Sequence, residues 1–151
     1  MSEREAEKAF KRYKKRIIAV MGKKETSDVQ LTTMGKSMFG KRFIGVYPQD
    51  TLPLGRTGFC IANTDLSSGP GVHWVAIVLT AKSIYIFDSF ARPAKRLMKV
   101  LTKNAKAKQI KIVNSDLKDV EQRDSSAICG QLCLSWLLVV KEMGIRAALK
   151  I

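Results

Sequence analysis

Short apolar runs in the middle of the chain predict the strands of a sheet. Residues 72 to 79 and 84 to 90 form two such runs, joined by the loop Thr80-Ala81-Lys82-Ser83, and this arrangement predicts an antiparallel hairpin. The apolar segment from Gly58 to Asn63 predicts another buried strand, and Gln109 to Val113 predicts a further short one. The sheet should therefore lie in the second and third quarters of the chain.

Helical spacing of apolar positions precedes and follows these strands. Residues 1 to 24 carry apolar side chains every three or four positions and predict an amphipathic helix. Thr26-Ser27-Asp28 is a capping sequence and predicts a second helix that runs through Met34. Between this helix and Gly58, the chain is rich in Gly and Pro, which predicts loops of the kind that also line clefts. Ala91 to Asn104 predicts a third helix, with Pro93 at an N1-like position.

The nearly continuous apolar run from Cys129 to Val140 predicts a buried helix with Cys129 in its first turn. Unpaired N–H groups and the positive end of the dipole lie there, so a thiolate is stabilised relative to its thiol. Such a cysteine is a usable nucleophile near neutral pH. Ser125 or Ser126 is expected to cap the helix, and Gly130 to leave room for a substrate backbone. Because a lone cysteine is more often a small buried hydrophobe, this interpretation needs chemical partners elsewhere.

The composition indicates one basic globular domain. The chain has 151 residues, with 27 Lys and Arg against 13 acidic residues, a net charge of +14 and a pI near 10.0. This balance predicts attraction to nucleic acid or another polyanion. Three cysteines, no CxxC and a single histidine argue against zinc, so we expect free thiols, a reducing compartment and no metal or small-molecule cofactor. The charged first sixteen residues and the lack of a long apolar run lead us to expect neither a secretory signal nor a membrane partner.

Two segments hold much of the positive charge. Residues 1 to 24 contain nine Lys and Arg against three Glu, and residues 92 to 118 contain nine against one Asp. The first segment fits equally well a solvated helix packed on one stripe or a contact with a polyanion. For the second, so one-sided a sign favours a surface that contacts phosphates. The expected DNA-binding residues are Arg92, Lys95, Arg96, Lys99, Lys103, Lys106 and Lys108.

The predicted hairpin brings a histidine and an aspartate together. With a four-residue loop, Asp88 pairs with Val75, which shares a sheet face with His73 because strand side chains alternate. His73 and Asp88 are then diagonal neighbours, and the carboxylate can fix the imidazole tautomer. Together with Cys129 they have the composition of a cysteine-hydrolase triad. Gln122, seven residues before Cys129, can donate to the oxyanion of a tetrahedral intermediate, with the Cys129 backbone N–H as second donor.

Five segments carry a resemblance to a known family: FIGVYP at 43 to 48, FCIANT at 59 to 64, GVHW at 71 to 74, IFDSF at 86 to 90 and SSAICG at 125 to 130. They resemble the maturation proteases of adenoviruses, the adenain family, which is related to the SUMO-specific and deneddylating cysteine peptidases. The order His, acid, Gln, Cys matches, and so does the interval from Gln122 to Cys129. Asp88 stands where adenain has a glutamate, as in the SUMO-protease branch. The resemblance covers roughly residues 26 to 143. Five segments in this order are far more specific than a single motif.

The resemblance implies an α+β, papain-like fold in which a central helix bearing Cys129 packs on an antiparallel sheet bearing His73 and Asp88. It implies a single protease domain over residues 1 to 151, with a basic helical extension over 1 to 25 and an adenain-like core over 26 to 145. Trp74, Gly71 and Gly130 are expected to contact substrate. The role of the extension stays open between packing, DNA contact and self-activation.

The activity implied is that of a viral cysteine endopeptidase, a monomer that processes capsid and other virion precursors after Gly-Gly or Gly-Ala type sites. It would act in the virion interior and at the site of virus assembly in the host cell. Viral double-stranded DNA is the expected partner and activator. A disulfide-linked activating peptide is not expected, because the segment before Gln122 lacks the family's linking cysteine. The alternatives are an isopeptidase acting on ubiquitin-like tails and an inactive basic DNA-binding virion protein.

Overall fold

The computed structural model describes residues 3–69, 71, 73–115 and 127–151, and the structural statements below concern these residues. They contain six helices and five strands, with short 3-10 turns on either side of the first strand. In chain order they are α1 (Glu3–Met21), α2 (Asp28–Phe39), β1 (Phe43–Pro48), β2 (Gly58–Asn63), β3 (Trp74–Leu79), β4 (Ser83–Phe87), α3 (Ala94–Leu97), α4 (Lys99–Ala107), β5 (Lys111–Asn114), α5 (Cys129–Met143) and α6 (Ile145–Ala148).

The five strands form one mixed sheet in the order β1-β2-β3-β4-β5. The three central strands are antiparallel, whereas β1 runs parallel to β2 and β5 parallel to β4. The fold is therefore α+β, as expected and compatible with a papain-like arrangement. The expectation of an antiparallel sheet is wrong at both edges. There, the connections from β1 to β2 and from β4 to β5 lead the chain back to the end at which the first strand began, so the two strands run in the same direction.

Alternation along the central strands divides the core between the two faces of the sheet. On β3, Ala76 and Val78 point into one apolar cluster, and Val75, Ile77 and Leu79 into the other. Helices α1, α2, α5 and α6 contribute to the first cluster, and α3 and α4 to the second. Both faces are covered, which explains why the central strands are apolar throughout rather than alternating with polar residues.

Helix α1 belongs to the core. Its buried stripe faces α5, and the Phe10 ring meets Phe87 of β4 edge to face at 5.7 Å. Phe87 in turn stacks on Trp136 of α5 at 5.5 Å between ring centroids. The amphipathic helix expected over residues 1 to 24 is confirmed, and of the alternatives for the extension, packing is what the structure shows. The stripe consists of Ala6, Ala9, Phe10, Tyr13 and Ile17.

Several boundaries differ from expectation. Helix α2 is capped by Ser27 as predicted, with Gln30 closing a capping box, but it continues to Phe39. The region expected to be loops contains strand β1. The single helix expected over 91 to 104 is two helices broken at Met98, where the Gln49 side-chain oxygen accepts from the backbone N–H groups of Val100 and Leu101. No helix in the described ranges is long and apolar enough to cross a membrane.

Candidate active site

Three element ends meet where the central strands β3 and β4 begin and end. His73 directly precedes β3, Asp88 directly follows β4, and Cys129 is the first residue of α5. The hairpin has the predicted register, with Ala76 opposite Phe87, so the next pair outward is Val75 and Asp88. All three candidate residues are nearly buried: His73 is 3% exposed, Asp88 4% and Cys129 5%.

The His73 Nε2 atom contacts the Asp88 Oδ1 atom in a buried hydrogen-bonded ion pair. Burial alone lowers the pKa of His73, but the hydrogen bond to Asp88 and, after it, the contact with Cys129 outweigh burial and raise this pKa overall. Burial likewise acts to raise the pKa of Asp88, and the hydrogen bonds from His73 and Arg92 hold it below its usual value. The geometry therefore favours an imidazolium beside a carboxylate.

Arg92 holds the other oxygen of the same carboxylate. Its backbone N–H and its Nε–H both donate to Asp88 Oδ2 at 3.0 Å. The guanidinium also lies over the Phe90 ring at 4.9 Å, and that ring is 5.1 Å from the His73 ring. Arg92 was expected among the DNA-binding residues, but in the structure its side chain orients the acid of the site. The sequence signal was its position four residues after Asp88 in the turn that ends β4.

Cys129 lies where its sulfur can meet the imidazole. Because Nε2 of His73 is taken by Asp88, Nδ1 is the nitrogen left for the sulfur. Nδ1 is buried and meets no partner with full hydrogen-bond geometry among the described residues. The interaction with Cys129 nevertheless contributes to the raised pKa of His73. Catalytic hydrogen bonds are often long or poorly aligned without substrate, and the contact between Cys129 and His73 fits this pattern.

One backbone donor and the start of a helix lie beside the sulfur. The Trp74 backbone N–H donates to Cys129 Sγ at 3.4 Å, and the sulfur lies at the start of the fifteen-residue helix α5. The N-cap of this helix is Ile128, which offers no side-chain acceptor, and Ser125 and Ser126, the expected caps, lie outside the described residues.

A cleft of about 490 Å³ opens beside Cys129. It is lined by the segment 25 to 28, the end of β1, the loop after β2 and Trp74. Two lining residues, Glu25 and Asp28, are acidic, and none of the described lining residues is basic. Although the chain has a net charge of +14, the described lining of this cleft does not favour a polyanion.

The three expected substrate-binding residues have different surroundings. Trp74 and Gly71 line the cleft, and Gly71 has φ +95°. Gly130 is buried and does not face the cleft: a Cβ there would overlap the Thr26 side-chain oxygen and lie 3.0 Å from Leu31 Cδ2. The close approach of segment 25 to 28 accounts for a glycine here, and the expected contact of Gly130 with substrate stays a prediction.

The remaining predicted residues are spread over two regions. Gln122, the expected oxyanion donor, lies outside the described residues. The other basic residues of the expected DNA surface are exposed on α3, α4 and the turn after α4, on the face of the sheet opposite α1. They are Lys95, Arg96, Lys99, Lys103, Lys106 and Lys108.

Sequence reasoning missed Thr26, Asn63 and Gln131. Thr26 and Asn63 line the cleft, and Gln131 is a fully buried amide on α5. For Gln131 a signal existed, since a glutamine inside the apolar run from Cys129 to Val140 must find partners when buried. Among the described residues, no group of His, Cys, Asp and Glu is placed to hold a metal ion.

Comparison with known proteins places this geometry in no family. No family model matches the chain, and no curated protein matches it. Among solved structures the chain is similar to a deletion variant of AvrA with IP6 and CoA, at a TM-score of 0.41 and 16% sequence identity. The match covers 95% of this chain and 62% of AvrA, so the chain spans less than two thirds of that protein. A likeness this distant carries no argument about activity.

Proposed function

We propose that the protein is a cysteine endopeptidase of the adenain type, which processes virion precursor proteins and is stimulated by DNA. The observation that carries the proposal is the buried His73–Asp88 pair with Cys129 beside it at the wall of an open cleft. The viral setting, the cleavage after small residues and the location in the virion rest on the sequence resemblance.

The residues suit acyl transfer. His73 Nδ1 takes the thiol proton, the Cys129 sulfur attacks the scissile carbonyl carbon, and a tetrahedral oxyanion forms. The imidazolium then gives its proton to the leaving amine. Water attacks the resulting thioester while His73 takes its proton, and the Cys129 sulfur leaves as the acid product is released. Asp88 keeps Nε2 protonated and stabilises the imidazolium. The Cys129 backbone N–H and Gln122 are the proposed oxyanion donors.

The charge distribution supports a polypeptide substrate and a separate DNA surface. Acidic residues and no basic ones line the described part of the cleft, so a nucleic acid would be repelled from the catalytic cysteine. The exposed lysines of α4 lie on the other side of the sheet, where DNA can bind without blocking the cleft.

The test is cleavage of a peptide containing Leu-x-Gly-Gly by wild type, Cys129→Ala and Cys133→Ala, with and without duplex DNA at low salt. Cys133 is the matched control, since it lies one helical turn further along α5 and is buried in the core. We expect cleavage by wild type and by Cys133→Ala, faster with DNA, and none by Cys129→Ala. Equal turnover by Cys129→Ala would contradict the nucleophile, and unchanged rates with DNA would contradict the stimulation.

A further inference from the structure

Residues 22 to 27, here called the strap, connect α1 to α2 and pass beside the first turn of α5. The strap is held from α5 by Gln131, whose Nε2 donates to the Gly22 carbonyl at 3.0 Å and to the Lys24 carbonyl at 2.8 Å. Gln131 is 0% exposed. Burying an amide is costly, and here its two donor bonds are both given to strap backbone.

The strap residue Thr26 touches the chain neighbours of both proposed catalytic residues. Trp74, which follows His73, donates its indole Nε1–H to the Thr26 carbonyl at 3.1 Å. Gly130, which follows Cys129, lies so close to Thr26 that any Cβ would overlap the threonine hydroxyl. Trp74 also donates its backbone N–H to the Cys129 sulfur at 3.4 Å. One strap residue is thus wedged between the ends of β3 and α5 that carry the imidazole and the thiol.

We propose that the strap is a positioning element which sets the separation between the Cys129 sulfur and the His73 imidazole, with Thr26 and Gln131 as positioning residues. The inference rests on the proposed thiol–imidazole chemistry, but on no particular substrate. It gives the N-terminal helix a catalytic purpose, because α1 and α2 fix the two ends of the strap. A shift of about 1 Å in such a pair can lower a rate by about 100-fold, so a small displacement is measurable.

The first experiment measures alkylation of Cys129 by iodoacetamide near pH 6 in wild type, Gly130→Ala, Thr26→Ala and the double variant. The added methyl group pushes the strap away, and Thr26→Ala removes the hydroxyl that it meets. We expect Gly130→Ala to alkylate at least about tenfold more slowly than wild type, and the double variant to return to within about threefold of Thr26→Ala. Alanine favours a helix over glycine, so a loss cannot come from the helix itself.

The second experiment repeats the measurement with Gln131→Met, Trp74→Phe and the control Ser135→Ala. Met keeps the length of Gln131 without its donors, and Phe keeps an aromatic ring and the backbone N–H of Trp74 but lacks the indole N–H. Ser135 is equally buried on α5, but its hydroxyl donates to the Gln131 backbone carbonyl and not to the strap. We expect slower alkylation in the first two variants and wild-type alkylation in the control, even where thermal stability falls equally.

The outcomes separate the two proposals. Slow alkylation of wild-type Cys129 near pH 6 would overturn the thiol–imidazole pair and the proposed function with it. Rapid alkylation of wild type together with unchanged rates in folded Gly130→Ala, Gln131→Met and Trp74→Phe would overturn the strap alone. If Gly130→Ala does not fold, Gln131→Met and Trp74→Phe decide the question.

Discussion

The contact between Arg92 and Asp88 leads to a prediction about stability with a worked magnitude. Replacing Arg92 with Met keeps the backbone N–H bond to Asp88 Oδ2 and removes the one from Nε at 3.0 Å. A hydrogen bond to a buried charged group contributes about 1.5–3 kcal/mol. The Arg92 side chain is 34% exposed and the Asp88 side chain 0%, so solvent screening reduces the expected loss to about 1–2 kcal/mol. For a chain of this length that is a fall in Tm of about 2–8 °C.

The effect should depend on pH in a defined direction. The pKa of Asp88 is lowered in the folded protein from its usual value of 3.8, by hydrogen bonds from His73 and Arg92 that outweigh burial. A carboxyl with a lowered pKa contributes stability above its unfolded pKa and loses that contribution as pH falls through its folded value. The difference between wild type and Arg92→Met should therefore be complete at neutral pH and disappear in acid below this value.

Urea unfolding of wild type, Arg92→Met and Lys95→Met at several pH values provides the assay. Lys95 is the control because it lies three residues further on, is exposed, and forms no ion pair within the described residues. If Arg92→Met were no less stable than Lys95→Met at neutral pH, or if the difference persisted in acid, the assignment of Arg92 to Asp88 would be refuted.

Three further predictions concern the titrating groups and the backbone. The pKa of His73 is raised above 6.5 on folding, so its contribution to stability is complete below pH 6.5 and is lost as pH rises through the folded pKa. The free energy of unfolding of wild type should therefore exceed that of His73→Gln by more near pH 5.5 than near pH 9. An equal difference at the two pH values would contradict the His73–Asp88 pair. Burial raises the pKa of Cys60 to about 12 and that of Cys133 well above its usual range, so iodoacetamide should modify one thiol, Cys129, in the native protein and three only after unfolding, as counted by mass spectrometry. Gly58 has φ +152° and a carbonyl oxygen 2.7 Å from its Cβ direction, so Gly58→Ala should lose about 1–3 kcal/mol in urea unfolding, and a loss within error would mean that the strand adjusts freely.

Local patterns predicted the hairpin and its register. The apolar runs around the loop 80 to 83 left one pairing that put His73 and Asp88 on the same face, and the observed pairing of Ala76 with Phe87 is that one. The placement of Cys129 at the start of α5 was likewise visible, because the apolar run changes abruptly from a polar segment at that residue.

Contacts between distant parts of the chain explain what the sequence could not show. The break at Met98 depends on Gln49, whose side chain caps α4 from fifty residues away. Strand β1 contains Gly45 at φ +154° and ends in Pro48, features typical of loops, and it is a strand because it pairs with β2. The close contact between Gly130 and Thr26 could not be predicted from the sequence, because the two residues are over one hundred positions apart.

The hydrogen bonds between Gln131 and the strap also bear on the order in which the protein folds during its synthesis. The bond to Gly22 joins residues 109 positions apart, and α1 packs on α5 across a similar separation. Contacts of such long range form late and slow folding, because most of the chain must be ordered before they are rewarded. During synthesis the segment that bears the sulfur leaves the ribosome long after α1, at about 5–20 residues per second. A nascent chain therefore holds its first helix without the surface that it covers, and any reactivity of the cysteine begins only once the two have met.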